Sequence, residues 1–234
     1  MDACSYIIAI PIISIIKYTP LAERKKTEAT VMQRLKVGLN YLKNHPLLFY
    51  FGILSYSVFI FVIISNHVLW PVYIDQHLNA SGDVYAITKI FYAGGALLAG
   101  FSISWIFRKR NAVFAIIALM VVALTAFVVL SITKAIYLLL IFSFALGISN
   151  AGIRIQRITY LFNHIPNYVI GRVNSVFQSI NVLFRSVFLS LFSLQFFNEN
   201  ANVKWTFIIA AGIIFISILP LTFHYNKLKN LKIS

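Results

Sequence analysis

The stretch LLFYFGILSYSVFIFVIISNHVLW, residues 47–70, runs without a single Asp, Glu, Lys or Arg. Rising ~1.5 Å per residue as an α-helix, it is long enough to cross a hydrocarbon core of ~30 Å. Residues 84–107, 112–132, 135–160, 173–197 and 205–225 have the same reach. A backbone amide left unpaired in lipid is too costly, so each stretch is expected to be a helix that closes its own hydrogen bonds. The period-two alternation of a membrane β-barrel is absent. Composition agrees: 60% of the 234 residues are hydrophobic and the mean hydropathy is +0.84. Only 11% are charged, against about 25% in soluble domains. The expected fold class is all-α, a polytopic membrane helix bundle of six full transmembrane helices plus a partial N-terminal span.

The net charge of +14 suggests nucleic acid until the charges are placed. With loops assigned alternately to two sides, one side holds Lys17, Arg24, Lys25, Lys26, Arg34, Lys36, Lys43, Arg108, Lys109, Arg110, Arg172, Lys227, Lys229 and Lys232. The other side holds Lys134 and Lys204. This is the positive-inside pattern, which expects a multi-pass protein of the cell inner membrane with its C-terminus in the cytoplasm. The partner it implies is the lipid bilayer, with no nucleic acid.

Residues 1–17 hold a fourteen-residue apolar run (3–16) followed by Lys17. It is too short for an ordinary span and has the wrong flanks for a signal peptide. It reads as the remnant of a preceding transmembrane helix, so the chain is expected to be the C-terminal part of a longer protein. Residues 18–46 read as a cytoplasmic linker containing a short amphipathic helix, with Val31, Leu35, Leu39 and Leu42 at helical spacing. That helix either lies on the membrane surface or docks on its own bundle. Residues 47–226 form the bundle and 227–234 a basic cytoplasmic tail. The outer loop 71–83 is expected to be long. Trp70, Tyr73 and Trp205 are expected at outer interfaces, as are Asn66 and His67, and Lys89 is expected to snorkel outward. Ala96, Gly100 and Ser104 form a small-residue stripe suited to close helix approach.

Strongly polar residues within the spans are costly and mark function. Gly147, Asn150, Arg154 and Arg157 fall within about 80° of one another at ~100° per residue. Asn174, Gln178, Asn181 and Arg185 fall within about 60° on the next span, with Arg185 near its midpoint. Asn150, Arg154, Arg157, Gln178, Asn181 and Arg185 are therefore candidates to line a cavity for an anionic or polar small molecule. The alternative is that such arginines clamp neighbouring helices through backbone carbonyls. The single cysteine, Cys4, excludes an internal disulfide, and no residue set has metal-ligand spacing. All six acids lie in loops or at termini. That leaves no intramembrane carboxylate for proton coupling and no catalytic set for an enzyme, and no cofactor is expected.

Three stretches resemble the C-terminal half of a major facilitator superfamily transporter. QRLKVGLNYLKNHPLLFYF (33–51) is similar to the central loop leading into the seventh helix. GGALLAGFSISWIFRKR (94–110) is similar to the eighth helix and its basic turn, though no Asp precedes Arg108 and no Gly lies within 108–110. IPNYVIGRVNSVFQSI (165–180) resembles the segment before the eleventh helix in the drug- and siderophore-exporter branch. The resemblance implies two six-helix bundles with a solute site between them and alternating access. It also implies that Gly171, Arg172, Arg108 and Arg110 serve gating or structural roles. The function this implies is secondary active efflux of a small molecule, with the other half supplied by a separate N-terminal half or by a second copy. Two other readings stay open: a non-transporting, partner-dependent half-transporter and an integral-membrane lipid enzyme.

Overall fold

The structure is a computed structural model that describes residues 10–11, 13–15, 30–199 and 202–231. The chain divides into two units, 1–33 and 34–234. In the first, the described residues of the apolar run are helical and exposed; the rest of that run and of the linker before residue 30 lie outside the described residues. Thr30 and Gln33 form a reciprocal cap, the Thr30 amide donating to Gln33 Oε1 at 2.9 Å and the Gln33 amide to Thr30 Oγ1 at 3.4 Å. Two of the amides left over at a helix start are satisfied in this way.

That cap opens α1 (Val31–Asn44). Six helices follow that are long and apolar enough to cross a membrane: α2 (Pro46–His77), α3 (Gly82–Ile106), α4 (Ala112–Ile132), α5 (Ile136–His164), α6 (Asn167–Phe192) and α8 (Lys204–Phe223). Two short helices complete the second unit, α7 (Gln195–Asn198) and α9 (Tyr225–Lys229). The described residues contain no strand, so the fold is an all-α polytopic bundle. Connections are short, and successive spans therefore run antiparallel. The turn 107–111 and α9 lie at one end, called the basic end here; the Leu78–Ser81 turn lies at the other.

α2 is longer than its apolar run suggests. Pro71 reads as a terminator because it has no amide to donate, yet the helix continues to His77. It does so through two wide turns, Ser65–Leu69 and Tyr73–His77. In the first, the Trp70 amide reaches back five residues to the Ser65 carbonyl. The expected loop 71–83 therefore shrinks to a tight turn in which Asn79 takes a left-handed φ of 49°, a conformation asparagine tolerates.

Trp70 and Tyr73 are not interface residues. Both are buried, packed against Phe207 of α8 with ring centroids 5.4 and 5.0 Å away. The Tyr73 hydroxyl lies 2.8 Å from the Leu130 carbonyl and 2.9 Å from that of Thr133. It caps the end of α4, whose last carbonyls have no intrahelical donor. Trp205 is exposed, as an interfacial ring should be.

The closest helix contact is between α3 and α5, and it uses a stripe one residue away from the expected one. Gly95 and Ala99 are buried there, whereas Gly100 is exposed and a methyl group on it would meet nothing. A Cβ on Gly95 would fall 2.1 Å from the Phe144 carbonyl oxygen, and one on Gly147 would fall 2.1 Å from that of Tyr92. The two backbones touch with no room for a side chain. A small-residue pattern gives spacing, but the face used depends on the partner's own glycine.

α1 docks on the bundle, at the start of α6. Gly38 lies against the Arg172 carbonyl oxygen and Leu42 is fully buried. Burial, and then the neighbouring Tyr168 phenol, push the Tyr41 hydroxyl above the usual phenol range.

Gly147→Ala is expected to lower the unfolding temperature of the detergent-solubilised protein, by about 1–3 kcal/mol of overpacking. Gly100→Ala is expected to raise it slightly, because alanine is favoured in helices by about 1 kcal/mol over glycine. Thermal melts of the two variants side by side check which stripe carries the contact.

Candidate functional site

The polar residues of α5 and α6 separate into sealed and uncovered groups. Arg157 is sealed, with 3% of its surface exposed. α2 breaks at Tyr56, between the segments Pro46–Ser55 and Ser57–Ile64. Arg157 Nη1 donates to the Ser55 carbonyl at this break, at 3.0 Å. The guanidinium carbon lies over the Tyr56 ring, 3.5 Å from its centroid, where the ring quadrupole attracts a cation. This is the clamp the sequence left as an alternative. Its cause is local: a helix break exposes a carbonyl that lipid cannot solvate. Arg157 Nε has no partner, so one donor of the fork remains open.

Asn150 is also engaged, its Nδ2 donating to the Tyr92 hydroxyl at 2.7 Å across the α3–α5 contact. Gln178 is exposed, with Nε2 3.3 Å from the Tyr56 hydroxyl. Tyr56 thus joins Arg157 of α5 to Gln178 of α6, two candidates on different helices. Asn181, one turn on, turns into the buried face at 2% exposure, and its Nδ2 has no partner. A buried donor left unpaired costs about 1–3 kcal/mol and suits an acceptor ligand or a water.

Arg154 is exposed and Arg185 half-buried, and neither forms a hydrogen bond among the described residues. Arg154 precedes Arg157 by one turn on α5, so the two guanidinium groups repel. The described acids Asp75, Asp83 and Glu199 are exposed and sit at the opposite end of the bundle. The potential beside α5 is therefore positive.

Arg185 is not at mid-helix. α6 starts at Asn167 and stops at Phe192, so its midpoint falls at Gln178–Asn181 and Arg185 belongs to the half away from the basic end. α6 begins six residues before the expected start at 173, because Pro166 sits at the N-cap, where its missing amide costs nothing. Gly171 is exposed with open space around it, and the carbonyl of its neighbour Arg172 lies against Gly38. Arg108 and Arg110 are exposed in the basic turn, Arg110 lying over the Phe114 ring at 5.3 Å.

Two residues have roles the sequence reading did not give them: Tyr56, and Asn66, which was expected at the outer interface. Tyr56 was visible as the centre of Ser55-Tyr56-Ser57, the polar gap in an otherwise apolar run. Asn66 is buried, and its carbonyl would be the partner of residue 71 in a wide turn. Pro71 cannot donate there, so the Tyr85 hydroxyl donates at 3.1 Å and Lys89 Nζ also donates. Lys89, half-buried, is therefore tethered to the Asn66 carbonyl rather than snorkelling outward.

Among the described residues no group of His, Cys, Asp or Glu could hold a metal ion. The chain matches no protein-family model, no curated protein and no solved structure.

Arg157→Ala orphans the Ser55 carbonyl and empties the space over Tyr56. The expected loss is about 2–3 kcal/mol of stability, the scale of a hydrogen bond to a charged group. Arg154→Ala is expected to change stability by less than about 0.5 kcal/mol. Thermal unfolding in detergent distinguishes the clamp from its uncovered neighbour.

Proposed function

We propose that the bundle is one half of a two-bundle secondary carrier of the major facilitator type. It moves a small anionic or polar molecule out across the inner membrane, with the basic end in the cytoplasm. The observation that carries this reading is Gln178, an exposed amide at the midpoint of a helix apolar enough to span a membrane. A polar side chain at that depth is costly against lipid. It is tolerated where a second bundle and water cover it. Arg154, also exposed, and half-buried Arg185 extend the same polar surface toward the two ends.

The distribution of burial supports a missing second wall. Only 22% of the most apolar window of α3 is buried, and 22% of that of α6, against 61% for α2 and 50% for α4. The open face of α3 is apolar, with Leu97 and Phe101 exposed, whereas that of α6 carries Gln178 and leaves room for the second bundle that the resemblance implies. Exposed Arg154 and half-buried Arg185 favour negative charge in the cargo. Asp75 and Asp83 fall within the ends of α2 and α3 rather than in a loop. Every described acid nevertheless lies at the end opposite the basic one, away from Gln178, so any proton coupling belongs to the other bundle.

The test is accumulation of a panel of fluorescent organic anions and cations in cells that make the protein natively. Cells with the wild-type protein are expected to hold less of at least one anion than cells lacking it. Arg185→Ala, at equal protein level, is expected to abolish that difference. Export of cations alone, or no difference for any compound, contradicts the proposal.

A further inference from the structure

At the basic end, two segments far apart in sequence are tied together. Asn111 closes the turn after α3, and its Nδ2 donates to the Tyr225 hydroxyl of α9 at 2.8 Å. α9 is itself pinned: Leu228 is 2% exposed and its carbonyl accepts from the Tyr160 hydroxyl at 2.8 Å. The tie sets Arg108, Lys109 and Arg110 of the turn beside Lys227 and Lys229 of α9. All five are exposed, and every described acid lies at the other end. Bare apolar side chains flank the same corner, with Trp105 76%, Ile106 54% and Phe223 87% exposed. The corner therefore pairs a cationic ledge with an apolar wall immediately on its membrane side.

The structure assigns to this corner a binding site for an anionic phospholipid with two phosphates, of the cardiolipin type. Basic ledges of this kind at the end of a helix bundle attract anionic headgroups. The two cation groups, on separate segments, suit two linked phosphates better than one, and Trp105, Ile106 and Phe223 lie where the acyl chains would run. This site is independent of the carrier proposal. It needs only that the bundle sits in a bilayer.

Native mass spectrometry of the full chain tests it, after equilibration in mixed micelles with cardiolipin, phosphatidylglycerol or phosphatidylcholine. Wild-type protein is expected to retain one cardiolipin in preference to the other two. Lys227→Gln with Lys229→Gln is expected to cut retention about tenfold. Lys36→Gln with Lys43→Gln, which removes the same charge elsewhere, is expected to leave it unchanged. Tyr225→Phe keeps every charge but breaks the tie, and a several-fold loss is expected. Equal retention of cardiolipin and phosphatidylcholine overturns the site. So does an equal loss from the Lys36/Lys43 variant, which would reduce the effect to net charge.

Discussion

A positive charge in hydrocarbon must find oxygen, an aromatic face or water, and the polar architecture of this bundle follows from that demand. Arg157 finds the first two inside the protein: the Ser55 carbonyl and the Tyr56 ring. Arg154, one turn earlier on the same helix, finds neither among the described residues. The same sequence pattern thus contains a structural residue and an uncovered one, separated by which way α2 happens to break. Gln178 reaches the shared Tyr56 hydroxyl while its residue stays exposed, so the sealed and open parts of the site meet at one phenol.

α2 is the irregular helix of the bundle, and each irregularity is answered by a side chain from another element. The break at Tyr56 is met by Arg157 of α5. The wide turn before Pro71 frees the Asn66 carbonyl, met by Tyr85 and Lys89 of α3. Without these donors the freed carbonyls would face lipid or an apolar core at a cost of several kcal/mol each. Irregular backbone is thereby held at membrane depth by two cations, Arg157 and Lys89, that lie within the spans themselves.

Much of the fold was legible because lipid leaves few choices. The bounds of α4 follow directly from residues 112–132, flanked by Asn111 and Thr133. The failures lie where a residue's local tendency was overridden. Pro71 failed to end α2 because wide turns absorb its missing amide, and Pro166 started α6 earlier than hydropathy alone suggests. Trp70 and Tyr73 have interfacial chemistry but meet Phe207, and a single helix cannot reveal that partner. Helical spacing put the polar residues of α5 and α6 on one stripe each. Whether a stripe residue is clamped, buried or open depends on the neighbouring helix, so Asn150 and Arg157 separated from Arg154 and Gln178 only in three dimensions.

The central claim is that water reaches the uncovered polar face of α5 and α6 at membrane depth. Single cysteines at positions 154, 178 and 101, introduced one at a time into a Cys4→Ala background in native membranes, measure this by reaction with a membrane-impermeant thiol reagent. Phe101, 82% exposed on α3, supplies the reference for an open apolar face. Fast labelling at 154 and 178 with none at 101 is the predicted result. Labelling at 178 as slow as at 101 would mean that this face lies against lipid, and the account of the site would be wrong.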